Sequence, residues 1–268
     1  MVERLPYMPK QRNEYNVSTQ NEPAVGYTDI INARLYPDMF KTYHTFAHAY
    51  DLSLDNFILT NGCENALRIA ILAMKPEKML IEDPTWRMAE VICSAFEVPY
   101  QKVPYHYYGG MFELEKVDAK DCWLYTTDIY GNLFRHKQYD PKIYPRVILD
   151  ETYTMRALRN PNRTFDENVI VIGSFSKFAG CGLRLGYILF NSKYNKKFQL
   201  LREQYLSTAA CQYVQKQSPI RISGFGEKEE YPVVTKHPSY VTFIGETNIR
   251  YPHKSFVIDG QSFFRIGK

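Results

Sequence analysis

Apolar residues along this chain follow two rhythms. Short continuous runs occupy residues 57–60, 79–82, 98–105, 122–126, 146–149, 169–173 and 185–190, most of them closed by a polar turn. Runs of this kind read as strands buried on both faces. Between them, apolar positions recur at helical spacing. Ala66, Leu67, Ile69, Ala70, Leu72 and Ala73 form one such stretch, ended by Pro76, and Met88, Val91, Ile92 and Ala95 mark a second over residues 86–96. Strands alternating with helices predict an α/β fold with a mostly parallel sheet flanked by helices. From about residue 198 the rhythm changes. Residues 198–217 predict one helix with Leu200, Leu201, Tyr205 and Val214 toward a core, and short strands and turns follow from Pro219 to Gly267. The opening residues are polar and punctuated by Pro6, Pro9 and Pro23, which predicts an extended arm. The expected organisation is an arm (1–35), a large domain (36–200) and a small, shortened α+β C-terminal domain (201–268).

Composition narrows the classes of function. Of the 268 residues, 45% are hydrophobic, enough for a continuous core. The net charge of +4 comes from interspersed Lys and Arg, without the basic stripe that a nucleic-acid surface requires, and it suits a small anionic ligand. Cys63, Cys93, Cys122, Cys181 and Cys211 are scattered with no CxxC pair, so neither a zinc site nor a disulfide framework is expected. The first residues, Met1-Val2-Glu3-Arg4-Leu5-Pro6, hold no apolar core of a signal peptide, and runs such as Val169-Ile170-Val171-Ile172 are too short to span a bilayer. A soluble protein of a reducing cytoplasm is the expectation, with no membrane or nucleic-acid partner.

In sheets of this kind, ligands sit at the carboxyl ends of the strands. The polar residues there are Asn61-Gly62-Cys63-Glu64, Trp86, Asp128, Asp150 with Tyr153, and Ser174-Phe175-Ser176-Lys177 with Arg184. Each has a plain structural reading. Gly62 makes a turn, Asp150 caps a helix, Trp86 fills core, Lys177 is a solvated charge, and Ser174, Ser176 and Arg184 are turn residues. Taken together they offer more: helix N-terminal amides and hydroxyls for a phosphate, an aromatic platform, a carboxylate, a phenol and a primary amine. Pyridoxal phosphate uses that combination, through its phosphate, ring face, pyridinium nitrogen, phenolic oxygen and aldehyde.

The order of these residues carries a resemblance. Ser174-Phe175-Ser176-Lys177-Phe178-Ala179-Gly180-Cys181-Gly182-Leu183-Arg184-Leu185-Gly186-Tyr187 resembles the lysine motif of the class I/II, fold-type I aminotransferases, nearest to the histidinol-phosphate aminotransferase branch. Tyr36-Pro37-Asp38, Asn56-Phe57-Ile58-Leu59-Thr60-Asn61-Gly62, Asp83-Pro84-Thr85-Trp86, Asp150-Glu151-Thr152-Tyr153 and Phe264-Arg265-Ile266-Gly267 resemble further segments of that branch, in the same order. The resemblance implies that Lys177 carries pyridoxal 5'-phosphate as a Schiff base and then moves the proton at the substrate α-carbon. It implies that Asp150 pairs with the pyridinium nitrogen, Tyr153 bonds the phenolic oxygen and Trp86 stacks on the ring. The amides of Gly62, Cys63 and Glu64, the hydroxyls of Ser174 and Ser176, and Arg184 would hold the phosphate, joined by Tyr36 from a neighbouring subunit of a homodimer. Arg265 would take the substrate α-carboxylate, and Arg250 a second anionic group. The implied activity is amino-group transfer between an amino acid and a 2-oxo acid, with glutamate and histidinol phosphate as the leading candidates.

The chain departs from that pattern in three places. Thr127-Asp128-Ile129-Tyr130-Gly131 stands where the family has an asparagine-proline-threonine-glycine turn, so the amide donor to the phenolic oxygen is replaced by a carboxylate. Asp128 is therefore expected either to raise the Schiff-base pKa or to turn away from the ring. The stretch from Lys177 to Arg184 is one residue short, and the region after residue 200 is shorter than the family's. Two other readings stand beside amino transfer: a decarboxylase or lyase of the same fold, and a catalytically weakened pyridoxal-phosphate-binding relative.

Overall fold

The structure, a computed structural model, describes residues 38–108, 111–128, 139–179, 181–202, 206–217, 233–237, 240–244 and 254–267. In chain order the elements are α1 (Met39–Tyr50), β1 (Phe57–Thr60), α2 (Cys63–Met74), β2 (Met79–Asp83), α3 (Met88–Ala95), β3 (Tyr100–Tyr108), β4 (Met111–Leu114), β5 (Trp123–Thr127), β6 (Val147–Asp150), α4 (Arg156–Arg159), β7 (Val169–Ser174), β8 (Gly186–Leu189), α5 (Asn195–Arg202), α6 (Thr208–Gln217), β9 (Val233–His237), β10 (Tyr240–Ile244), β11 (Lys254–Ile258) and β12 (Gln261–Gly267). A short 3-10 turn, Phe175–Lys177, follows β7.

Eight strands form one sheet in the order β1-β8-β7-β6-β5-β2-β3-β4. The central pairs β7/β6, β6/β5, β5/β2 and β2/β3 are parallel, whereas β8 runs antiparallel to both β7 and β1, and β4 antiparallel to β3. This is the mostly parallel, helix-flanked α/β sheet that the strand–helix alternation predicts. Strands β1, β5, β6 and β8 are buried at every position, as strands covered on both faces must be. On one face Ile58, Ile81, Tyr125, Ile148 and Ile188 pack with Leu67, Ile92 and Phe198 of α2, α3 and α5. On the other, Phe57, Leu59, Tyr187 and Leu189 pack with Phe46 of α1 and Val214 of α6. Four antiparallel strands, ordered β11-β12-β10-β9, make a second sheet.

Helix boundaries follow local chemistry. The Asp38 side chain accepts the Lys41 N–H at 2.9 Å and caps α1. Helix α2 ends with Lys75 in the left-handed region, just before Pro76.

Three expectations change. The single helix over 198–217 is two helices, α5 and α6, with the Ser207 hydroxyl accepting the Ala210 N–H at 3.1 Å to start the second. Phe198, not Leu200, is the core residue of α5: Phe198 is fully buried and Leu200 is 82% exposed. In α3, Ala95 is exposed and the buried face is Met88, Ala89, Ile92 and Cys93. Helix α1 and strand β4 are additions.

Candidate active site

The turn between β1 and α2 is built around Gly62, whose φ of 83° suits glycine alone. A Cβ at this position would lie 2.9 Å from Arg184 Nη2, so the guanidinium packs directly on the glycine. Arg184 also donates from Nη2 to the Asn61 carbonyl at 3.3 Å. The Thr60 hydroxyl holds the Gly62 carbonyl at 3.1 Å, and the N-cap of α2 is Gly62, which brings no side chain to the helix end. The N-terminus of a twelve-residue helix and an arginine at its tip form a place for an anion. Glu64, in that first turn, is tied sideways to Arg68 at 2.9 Å.

Asp150 ends β6 beside this turn. Its Oδ2 accepts from the Tyr125 hydroxyl at 2.8 Å and from Cys63 Sγ at 3.4 Å, and its Oδ1 accepts the Thr152 N–H at 2.8 Å. Burial pushes the Asp150 carboxyl above its ordinary range, and these donors oppose that. Burial and the neighbouring Asp150 push the Cys63 thiol well up, so it serves as a donor and not as a thiolate.

Lys177 closes the 3-10 turn after β7, and its Nζ lies over the Tyr153 ring, 5.3 Å from the centroid. Ser174 is buried, and its hydroxyl accepts the Ser176 N–H at 3.1 Å and donates to the Leu185 carbonyl at 3.3 Å. That hydroxyl therefore holds the lysine turn in shape, while Ser176 is half-buried. Trp86 is half-buried and packs against the core under α2 and α3.

Asp128, just past β5, is buried. Its Oδ1 meets Arg156 Nη2 at 2.8 Å, its Oδ2 accepts from the Thr154 hydroxyl, and its N–H donates to the Asp150 carbonyl at 3.0 Å. Tyr36 and Arg250 lie outside the described residues, as does the Arg265 side chain. The Arg265 backbone pairs with Thr242 of β10 and Lys254 of β11.

Several participants escape sequence reasoning. Glu82, buried in β2, accepts from Tyr105, from Thr126 at 2.6 Å, from the Thr127 N–H at 3.0 Å and from Thr85 at 2.9 Å. It thereby ties the Asp83–Trp86 turn to the end of β5. The Tyr187 ring lies on Gly173, where a Cβ would be 2.3 Å from its Cζ. Glu151, also buried, accepts the Ala157 N–H at 2.6 Å, and burial raises its pKa to about 8. The signal available for Glu82 and Tyr187 was only a polar or phenolic group inside an apolar run, while Glu151 stood in the sequence as part of the Asp150–Tyr153 segment.

Two groups thus adjoin: a helix N-terminus with an arginine at its tip, and a buried carboxylate bonded to the first residue of that helix. A ligand anionic at one end and cationic at the other fits such a pair. Among the described residues no His, Cys, Asp and Glu cluster suits a metal ion, and no helix is long and apolar enough to cross a membrane.

The sequence profile of class I and II aminotransferases matches residues 16–221. No curated protein matches the chain in sequence. Among solved structures, the histidinol-phosphate aminotransferase of Clostridium acetobutylicum shares 16% identity at a TM-score of 0.60, over 88% of this chain and 86% of that one. The L-threonine-O-3-phosphate decarboxylase of Porphyromonas gingivalis shares 17% at 0.57, over 87% and 84%. The histidinol-phosphate aminotransferase of Sinorhizobium meliloti, solved with pyridoxal 5'-phosphate, shares 18% at 0.55, over 68% of this chain but only 55% of that enzyme's length. At these identities the likeness is one of fold.

Proposed function

The chain belongs to the class I and II aminotransferases, whose cofactor is pyridoxal 5'-phosphate, and from that premise we propose that it moves an amino group between an amino acid and a 2-oxo acid. One observation carries the reading: the Cys63–Asp150 contact of 3.4 Å, which sets the anion-binding turn against the buried carboxylate. The residues present fit the cofactor. The amides after Gly62, with Arg184 and Ser176, would hold its phosphate, Asp150 its ring nitrogen, and Trp86 and Tyr153 its ring and phenolic oxygen. When bound, the cofactor supplies an electron sink for the bond broken at the substrate α-carbon.

The protein's part is to place groups and move protons. Lys177 Nζ would bind the cofactor covalently and, once released, take and return the α-carbon proton. Tyr125 and Cys63 keep Asp150 in place, so the ring nitrogen of a bound cofactor would meet an ordered carboxylate. Arg265 would pair with the substrate carboxylate, and Tyr36 would reach the phosphate from the second subunit of a homodimer. Glutamate and a phosphorylated amine such as histidinol phosphate are the proposed substrates, with Arg250 for the second anion.

The test is the visible spectrum of the purified protein with added cofactor and Lys177→Ala as control. A yellow band that bleaches with one amino acid and returns with a 2-oxo acid is expected. Release of carbon dioxide in place of a keto acid would reassign the chain to decarboxylation. Failure to take up the cofactor would overturn the reading.

A further inference from the structure

Asp128 stands where an amide donor is expected, and a carboxylate there is both unable to donate and fully charged when ionised. It is 3% exposed. An isolated buried carboxylate beside a cofactor's phenolic oxygen would disturb the site, so the identity of its partners matters. Both partners come from one short segment after β6. Arg156 meets Oδ1 at 2.8 Å, and the Thr154 hydroxyl donates to Oδ2. The segment is folded back on Glu151: the N–H groups of Thr154 and Met155 reach the Glu151 carbonyl at 3.0 and 2.9 Å, and Ala157 N–H its carboxyl at 2.6 Å. Met155 takes the left-handed conformation, with φ of 50°. Tyr153, whose ring faces Lys177 Nζ, sits within this fold.

We propose that Arg156 is a positioning residue that cancels the charge of Asp128 and, through it, fixes the turn carrying Tyr153 against Lys177. The inference rests on the amino-transfer reading for the cofactor's presence. Arg156 is 46% exposed on its side chain and Asp128 only 2%, so losing the arginine leaves a buried charge uncompensated. A negative charge added near the cofactor-bound lysine favours the protonated form and raises the pH at which it titrates. Among the described residues, the other charged or titratable groups near this segment and the site include Asp150, Glu151, Tyr153, Lys177, Tyr125, Tyr187, Cys63 and Arg184. All are retained in every variant below, so differences isolate the Asp128–Arg156 pair.

The experiment is a visible-spectrum pH titration of the cofactor-loaded protein and four variants: Arg156→Gln, Arg156→Lys, Asp128→Asn and the double Asp128→Asn/Arg156→Gln. Arg156→Gln is expected to raise the midpoint by roughly one pH unit, an interaction through partly screened protein. The double variant should return it to near the wild-type value, and Arg156→Lys should hold it there. Asp128→Asn alone should lower it, and the rise from Asp128→Asn to the double variant tests Arg156 even if Arg156→Gln does not fold. Without cofactor, the double variant should unfold at a higher urea midpoint than Arg156→Gln, because the orphaned charge is gone. An unmoved midpoint in Asp128→Asn, or a shift in Arg156→Gln that persists in the double variant, overturns the proposal. A wild-type protein that takes up no cofactor overturns the amino-transfer reading instead, and the urea comparison still tests the pair.

Discussion

At Glu151, burial strips water from the carboxyl, the Ala157 N–H returns one hydrogen bond, and nearby Asp128 repels the charged form. Burial dominates, and the pKa rises from the ordinary 4.5 to about 8. The sign follows directly. Between those values the folded protein holds a proton that the unfolded chain has lost, so stability falls as pH rises through this window, by about 1.4 kcal/mol per pH unit from this group alone. Glu151→Gln copies the protonated form and should flatten that slope in urea unfolding measured from pH 5 to 8; an unchanged slope would place the proton elsewhere. Asp150 poses a different question, because burial raises its pKa while its hydrogen-bond donors oppose the rise. Tyr125→Phe removes one donor to a buried carboxylate, an interaction of about 1.5–3 kcal/mol. We expect the protein's affinity for pyridoxal phosphate to fall roughly ten-fold, read by absorbance titration. An unchanged affinity would show that Cys63 and Thr152 hold Asp150 unaided. Asp150 was visible in the sequence because it closes the apolar run 146–149, and Lys177 and Arg184 because they stand in the Ser174–Tyr187 segment that resembles the family's lysine motif. Tyr125, Tyr187 and Glu82 were not, since each lies inside such a run and reveals its polar atom only across the sheet.

Helix α5 shows how an element's face is decided by packing that periodicity only suggests. Phe198 stacks on Phe190 with ring centroids 4.2 Å apart, while Leu200 points to solvent. Phe198→Ala should therefore cost about 3–5 kcal/mol and Leu200→Ala less than about 0.5 kcal/mol, compared by thermal or urea unfolding. Comparable losses would contradict the observed face. The same reasoning explains what the sequence concealed. No Gly or Pro lies between Phe198 and Gln217, so the break between α5 and α6 was marked locally by the capping residue Ser207 and by no helix breaker. Helix α1 left its mark in Tyr43, Phe46, Ala47 and Tyr50 at helical spacing, and β4 follows the turn-forming pair Gly109-Gly110. The strands of the large sheet were plain because two covered faces demand unbroken apolar runs.

Across the whole molecule, the smaller sheet meets the larger at the β3–β4 edge. Ile258 and Phe263 join Tyr105 and Phe112 in one buried cluster, with Phe263 edge-on to Phe112 at 5.1 Å. At the tip of the β11–β12 turn, Asp259 accepts the Tyr107 N–H at 2.8 Å and meets His106 at 3.2 Å, and these contacts hold its carboxyl below the usual range. A cavity of about 270 Å³ lies between this turn and the Asp83–Pro84 segment that leads to Trp86. The two kinds of contact differ in weight. Asp259 and His106 are exposed, and such pairs in water contribute little, whereas Tyr105, Phe112, Ile258 and Phe263 are buried against one another. Phe263→Ala should accordingly release the smaller sheet locally, at about 3–5 kcal/mol, without unfolding the centre of the larger one. Hydrogen exchange gives the readout: faster exchange in β11, β12 and the β3–β4 hairpin, with β5, β6 and β7 still protected. Asp259→Asn should leave the pattern nearly as it is. Equal loss of protection in β5–β7 would mean that the two sheets unfold as one unit, and that the mouth of the site near Trp86 is shaped by the C-terminal strands as firmly as by the parallel sheet.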